Sequence, residues 1–204
     1  MRHKSAVQPK VTTRDRVLNA AVLRFSSHSY EQTGLRDIAA DVGIDVSYVH
    51  RCFGSKEQLF AEAVEATIQP ARLLTGAAGD LPGTLAKHIF ARDAAHARDE
   101  VGPLDIIIRS LSSPEASRVL RDFMLNDFIT PLANKLDQPA ARRAALIAAF
   151  LAGVGILRNV LGVAPLLEAE GGGLESLIAK ALEDMMKSVV ITGEHKPKIK
   201  RTRK

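Results

Sequence analysis

Between Asp41 and Leu59 the chain reads DVGIDVSYVHRCFGSKEQL, and two glycines in it, Gly43 and Gly54, leave room for one helix of about two turns. Glycine suits the left-handed backbone that ends a helix, so each is read as a stop. Asp45 can cap the short helix at its start, and Ser55 with Gln58 fits the capping-box pattern of a new one. Val49 and Phe53, with Ile44 just before them, can hold such a helix from behind. Ser47, Tyr48, His50 and Arg51 are then left facing outward.

The same 3.6-residue spacing of apolar positions runs through most of the chain, and no convincing alternating strand appears. A first helix is expected over Arg14 to Ser27, with Val17, Leu18, Ala21, Val22 and Phe25 inward. A second follows, capped by Thr33 and ending at Gly43, with Leu35, Ile38, Ala39 and Val42 inward. The helix opened by Ser55 runs to about Gln69. Further helices are expected over Thr84 to Arg98, from Gly102-Pro103, from Ser113-Pro114 until Thr130-Pro131 ends or kinks it, over Pro139 to Leu161, and from Leu174 onward. With aromatics at 4% and no Trp, the core must be mostly Ala, Leu, Ile and Val, which suits packed helices. The expected fold class is therefore all-α, a small front domain on a larger helical body.

Charge is placed unevenly. The overall balance is +5, yet the segment from Ala61 to Glu194 is acidic, while the first sixty residues and the end HKPKIKRTRK are basic. Basic ends on an acidic body suit a polyanionic partner. The tail could touch phosphates or could equally be a solubilising end. Cys52 is the only cysteine, which excludes an intrachain disulfide and fits a reducing compartment. The start MRHKSAVQPKVTTRDR has no apolar core of a secretory signal. The most apolar run, Ala144 to Leu157, is shorter than the ~18 residues of a membrane span. The chain is read as soluble and cytoplasmic, with no membrane partner.

Enzyme classes find little support. His50 and Cys52 are two apart on a helix and do not face each other as base and nucleophile would. No H-E-x-x-H, C-x-x-C or P-loop is present, and GVGILR lacks the third glycine of a dinucleotide motif. No metal or cofactor is expected.

Three short helices, two of them joined by a tight glycine turn, form a helix-turn-helix pattern, whose last helix fits the DNA major groove. Spacing alone is met equally by three core helices with a solvated face. The residues add more. RVLNAAVLRF, Tyr30, Thr33, RDIAADVGI and VHRCFGSKEQLF, over Arg14 to Leu59, resemble the N-terminal domain of the tetracycline-repressor (TetR) family of bacterial transcriptional regulators. The chain departs from that pattern at His50, where a Tyr is usual, at Cys52, where a His is common, and at Asp45, where the cap is usually Ser or Thr.

By position, the resemblance implies base readout by Arg36, Val46, Ser47 and Tyr48, and phosphate contacts from Thr33, His50 and Lys56. An exposed ion pair of Arg36 with Asp37 or Asp41 is the plainer alternative. It divides the chain into a flexible basic start (1–12), a DNA-binding domain (13–55), an effector and dimerisation domain (56–192) and a basic tail read as disordered (193–204). It implies a homodimer on a palindromic operator in double-stranded DNA, paired through the last two long helices, with Ala148, Leu151, Ala152, Gly155, Leu177, Ala181 and Met185 as candidate contacts. The plainer reading makes the first of these helices the core of each monomer. The middle helices are where the family holds an effector. His88, Phe90, Ile107, Arg109, Phe123, Met124 and Phe128 are candidates for a pocket that suits a hydrophobic small molecule, though each also reads as plain core. The functional expectation is a repressor released by such an effector. The alternative is a helix-turn-helix protein without one, an activator or an architectural factor.

Overall fold

The structure, a computed structural model, describes residues 11–90, 102–137, 140–167 and 173–187. The tail from 193, nearly all of the 1–12 segment, and the part of the Thr84 to Arg98 helix beyond Phe90 lie outside the described residues. Within them the chain is all-α. Helix α1 spans Thr13–Ser27, α2 Leu35–Val42, α3 Val46–Phe53 and α4 Lys56–Ile68. A short α5, Pro70–Leu73, leads to α6, Leu81–Phe90, and α7 covers Pro103–Ser110. Helix α8, Pro114–Phe123, passes into a wider-wound stretch, Met124–Ile129, and a last turn, Thr130–Ala133. Helix α9, Ala141–Gly155, likewise widens over Ile156–Val160, and α10, Ala164–Leu167, precedes α11, Gly173–Met186.

The front helices are set by their ends. Asp45 accepts from the Ser47 N–H at 2.7 Å and caps α3. Ser55 and Gln58 form the reciprocal capping box that opens α4, at 3.1 and 3.2 Å. Gly43 takes the left-handed conformation at φ 73°, which lets α2 turn into α3 within three residues. The cap of α2 is one residue later than expected. Gly34 holds that position, its N–H bonded to Asp37 at 3.0 Å, while the Thr33 hydroxyl turns back to donate to the Ser29 carbonyl at 3.1 Å.

Pro131 does not end α8. Proline lacks an N–H and crowds the carbonyl four residues earlier, and the chain meets this by loosening its winding from Met124 to Ile129 and continuing. The long apolar helix is also longer than the fourteen-residue run suggests. Ala141–Val160 is continuous over 20 residues, long and apolar enough by length and composition to cross a membrane. One side of it packs against α6, α7, α8 and α11.

Two cores result. The front one joins Val17, Ala21 and Phe25 of α1 to Ile38, Val49, Leu59 and Phe60, and extends to Ile106 of α7 and Phe123 of α8. Its centre is aromatic: the Phe60 ring meets the Phe25 and Tyr30 rings edge-on at 5.0 and 5.1 Å. The rear core is mainly aliphatic, built on Leu85, Leu132, Ile147 and Leu182, with Phe128 also buried in it.

Candidate nucleic-acid interface and apolar pocket

Helix α3 is held as its pattern requires. Val49 and Phe53 are buried, while Ser47, His50 and Arg51 are exposed and Val46 and Tyr48 half-exposed. The Arg51 guanidinium lies 5.1 Å from the Tyr48 ring, so the two form one cationic and aromatic ridge. At the start of α2, Arg36 is exposed, and no ion pair holds it among the described residues. Its two candidate partners are engaged elsewhere. Asp37 caps Gly34, and Asp41 binds Arg24 through both oxygens at 2.5 and 2.8 Å. The Arg24 bond holds the Asp41 carboxyl below the usual carboxylate range.

His50 is anchored through one ring nitrogen, with Nδ1 3.1 Å from the Gly54 carbonyl. A carbonyl only accepts, so Nδ1 carries the proton in this contact. The outward Nε2 can then donate to a phosphate only when the ring is an imidazolium. Lys56 sits at the first turn of α4 with its ammonium 4.0 Å from the Tyr30 ring centroid, and burial lowers its pKa. Thr33 differs most from expectation. It is fully buried, and its hydroxyl serves Ser29, so a phosphate contact from this side chain is corrected to an internal bond.

The second feature is a pocket of about 270 Å³ between α4, α5, α6, α7, α8 and α9. His88, Ile107, Met124 and Phe128 line it. The other three pocket candidates do not, for visible reasons. Phe90 lies under the Arg158 guanidinium at 4.5 Å, Arg109 donates from Nε to the Ser26 carbonyl at 3.0 Å, and Phe123 is buried in the front core. Met124, next to Phe123 on the same helix, packs against both cores and so reaches the pocket.

The four small or apolar residues of α9 singled out for dimer contact, Ala148, Leu151, Ala152 and Gly155, line this pocket instead. A methyl at Gly155 would come within 2.8 Å of Leu104 Cδ1, which shows how closely α7 is seated there. The opposite side of α9 is uncovered: Leu146 is 62% exposed, Leu157 44% and Val160 39%. On α11, Leu177 is 66% exposed, while Ala181 and Met185 are half-buried. Sequence reasoning passes over the α4 contribution of Thr67 and Ile68, and Asn159 from the widened end of α9. The 148, 152, 155, 159 spacing is the available signal for the α9 wall, since these positions share one helix face.

Comparison with known proteins follows the same division. The model "Bacterial regulatory proteins, tetR family" matches residues 17–63, and "Tetracyclin repressor-like, C-terminal domain" matches residues 80–186. A comparison with curated proteins found no match. Among solved structures, a TetR-family regulator from Streptomyces coelicolor is 22% identical, with a TM-score of 0.61 over 89% of this chain and 99% of its own. The multidrug binding protein EbrR, complexed with ethidium, is 16% identical with a TM-score of 0.60, over 87% of this chain and 100% of its own. AmtR of Mycobacterium smegmatis is 16% identical with a TM-score of 0.51, over 91% of both chains. Identities at this level speak for the fold, while the two family models span most of the chain. The chain belongs to the TetR family, whose members are DNA-binding transcriptional regulators.

Proposed function

We propose that this protein is a homodimeric, sequence-specific repressor that leaves a palindromic operator when a small apolar molecule fills the pocket. Residues 13–55 are its reading head and 56–192 its effector-binding and dimerisation body. Arg36, Ser47 and Tyr48, with the edge of Val46, read base edges, and His50 and Lys56 meet phosphates. One observation carries the release step. Helix α7 belongs to both parts, since Leu104 and Ile107 line the pocket while Ile106 is buried against α1 and α4 and Arg109 holds the last turn of α1. A ligand that moves α7 therefore moves the platform under α3.

A single short helix-turn-helix reads too few bases to bind tightly, so two copies are needed. The uncovered face of α9 with Leu177 of α11 is the surface that supports pairing, in place of the α9 residues that line the pocket. EbrR, solved with ethidium, proflavin and malachite green, supports a search among small organic molecules.

The test is to select the operator from genomic DNA, measure binding by gel shift, and then screen for compounds that release it. Arg36→Ala is expected to cost about 1–3 kcal/mol of operator binding and to relax preference at one base position. Unchanged affinity and selectivity would remove Arg36 from base readout. A monomer at micromolar concentration in ultracentrifugation would remove the dimer.

A further inference from the structure

The walls of the pocket restrict what it can hold. Of its lining side chains among the described residues, only Thr67, His88 and Asn159 carry hydrogen-bonding groups, and none is a carboxylate, an ammonium or a guanidinium. Two of these three are already engaged. The Thr67 hydroxyl donates to the Ala63 carbonyl at 2.6 Å. The Asn159 amide donates to the Ile89 carbonyl at 3.3 Å and accepts from Arg158 at 3.2 Å. The Gly102 N–H, also at the wall, is held by Asp105 at 2.8 Å, so that carboxylate serves as a helix cap. Thr67 keeps only acceptor capacity and Asn159 part of its amide, while His88 alone of the three makes no hydrogen bond among the described residues, so its whole ring is open to a ligand's polar group. The residue is exposed as well as lining the pocket, so it stands where the pocket reaches solvent, with the apolar walls to one side of it.

We infer that this pocket takes a largely apolar molecule bearing one neutral or anionic hydrogen-bonding group at its His88 end, and discriminates against organic cations. This rests on the reading of the pocket as the effector site. The surroundings of His88 support it independently. Burial by the walls, and then the charge of Arg72, hold its pKa below the ordinary imidazole value. Whatever disfavours a proton on His88 disfavours a cationic head group in the same place, because both meet low-dielectric walls and a neighbouring positive charge. A neutral imidazole keeps both a donor and an acceptor, so it can serve a hydroxyl or a carboxylate. A cation would need a carboxylate or an open aromatic face; the described lining residues include no carboxylate and one aromatic, Phe128, which is buried in the rear core, while Phe90 is already under Arg158.

Three probes with one chain length isolate the head group: 1-decanol, decanoate and decyltrimethylammonium, each titrated below its micelle concentration into the full-length protein at pH 7.5. The cation is expected to bind at least tenfold more weakly than the other two. The chain has no Trp, so Leu73→Trp places a single fluorescent reporter in the wall, and Ala152→Phe fills the cavity. His88→Glu is expected to reverse the order, tightening the cation at least tenfold while weakening decanoate. A cation that binds the parent protein as tightly as decanol, quenches the reporter and is lost in the Ala152→Phe variant overturns the ligand class and leaves the pocket standing. Three silent probes, or binding that neither quenches the reporter nor responds to the filled cavity, overturn the pocket reading and this inference with it. Should Ala152→Phe fail to fold, the reporter variant decides alone.

Discussion

The front and rear cores are built to different standards of closure. In the front, Val17, Phe25, Ile38, Val49, Leu59 and Phe60 are fully buried around three aromatic rings in mutual contact. The rear core surrounds an open volume and leaves leucines bare on its outer side. The difference fits the two duties proposed for these regions. A reading head must hold side chains to within a fraction of an ångström, and close packing with aromatic contacts supplies that rigidity. A body that admits a ligand and a partner must keep apolar surface uncovered on the inside and the outside.

The sharpest way to break the comparison is at Phe60. Phe60→Ala should cost about 3–5 kcal/mol, read as a lower melting temperature and loss of operator binding. A small loss would mean that the head is not the rigid part. Next come two identical enlargements. Ala63 is fully buried in the front core, and Ala63→Leu should cost about 1–3 kcal/mol by overpacking. Ala152→Leu, which points into the pocket, should stay within about 1 kcal/mol. Equal costs in denaturant titrations would mean that the rear cavity is not room the fold leaves free.

The remaining two tests concern the head's surface. With Nδ1 fixed on Gly54, His50 turns Nε2 outward, where a phosphate would lie. His50→Ala should therefore weaken operator binding about three- to tenfold in gel shifts by losing that phosphate contact. Unchanged affinity would remove His50 from the phosphate contacts. The smallest effect is expected at Asp41. Its pKa is lowered by Arg24, so its contribution to stability is present above the unfolded carboxyl value near 3.9 and is lost as pH falls through the folded one. Both side chains are substantially exposed, which limits the pair to about 0.5 kcal/mol or less. Thermal melts of Asp41→Asn should match the parent at pH 3 and fall slightly below it at pH 6.

The front three helices are legible in the sequence because their limits are local. Asp45, Ser55, Gly43 and Gly54 act within four residues of themselves, and the structure uses each as the spacing implies. Thr33 misleads by a single position because its hydroxyl, instead of accepting from an N–H of the helix, donates to another local partner, the Ser29 carbonyl. The body is less legible because what matters there is which neighbour covers which face. Apolar residues surround α9, and nothing in its own sequence says that Ala148 and Ala152 face a cavity while Leu146 and Leu157 face outward. Arg109 reads from the sequence as a polar contact in the pocket, yet the carbonyl that it meets lies 83 residues away. Pairings at that distance are invisible to periodicity.

The contact between Gly155 and Leu104 has an implication for how such a protein could change its ligand. Leu104 and Gly155 both line the pocket and stand against each other. Adding one methyl at position 155 displaces the end of a flexible side chain rather than backbone. The fold can yield there, and the wall moves. On the function proposed above, a single-carbon change at this position reshapes the chamber without touching the head, so that the molecule sensed can drift while the genomic address stays the same.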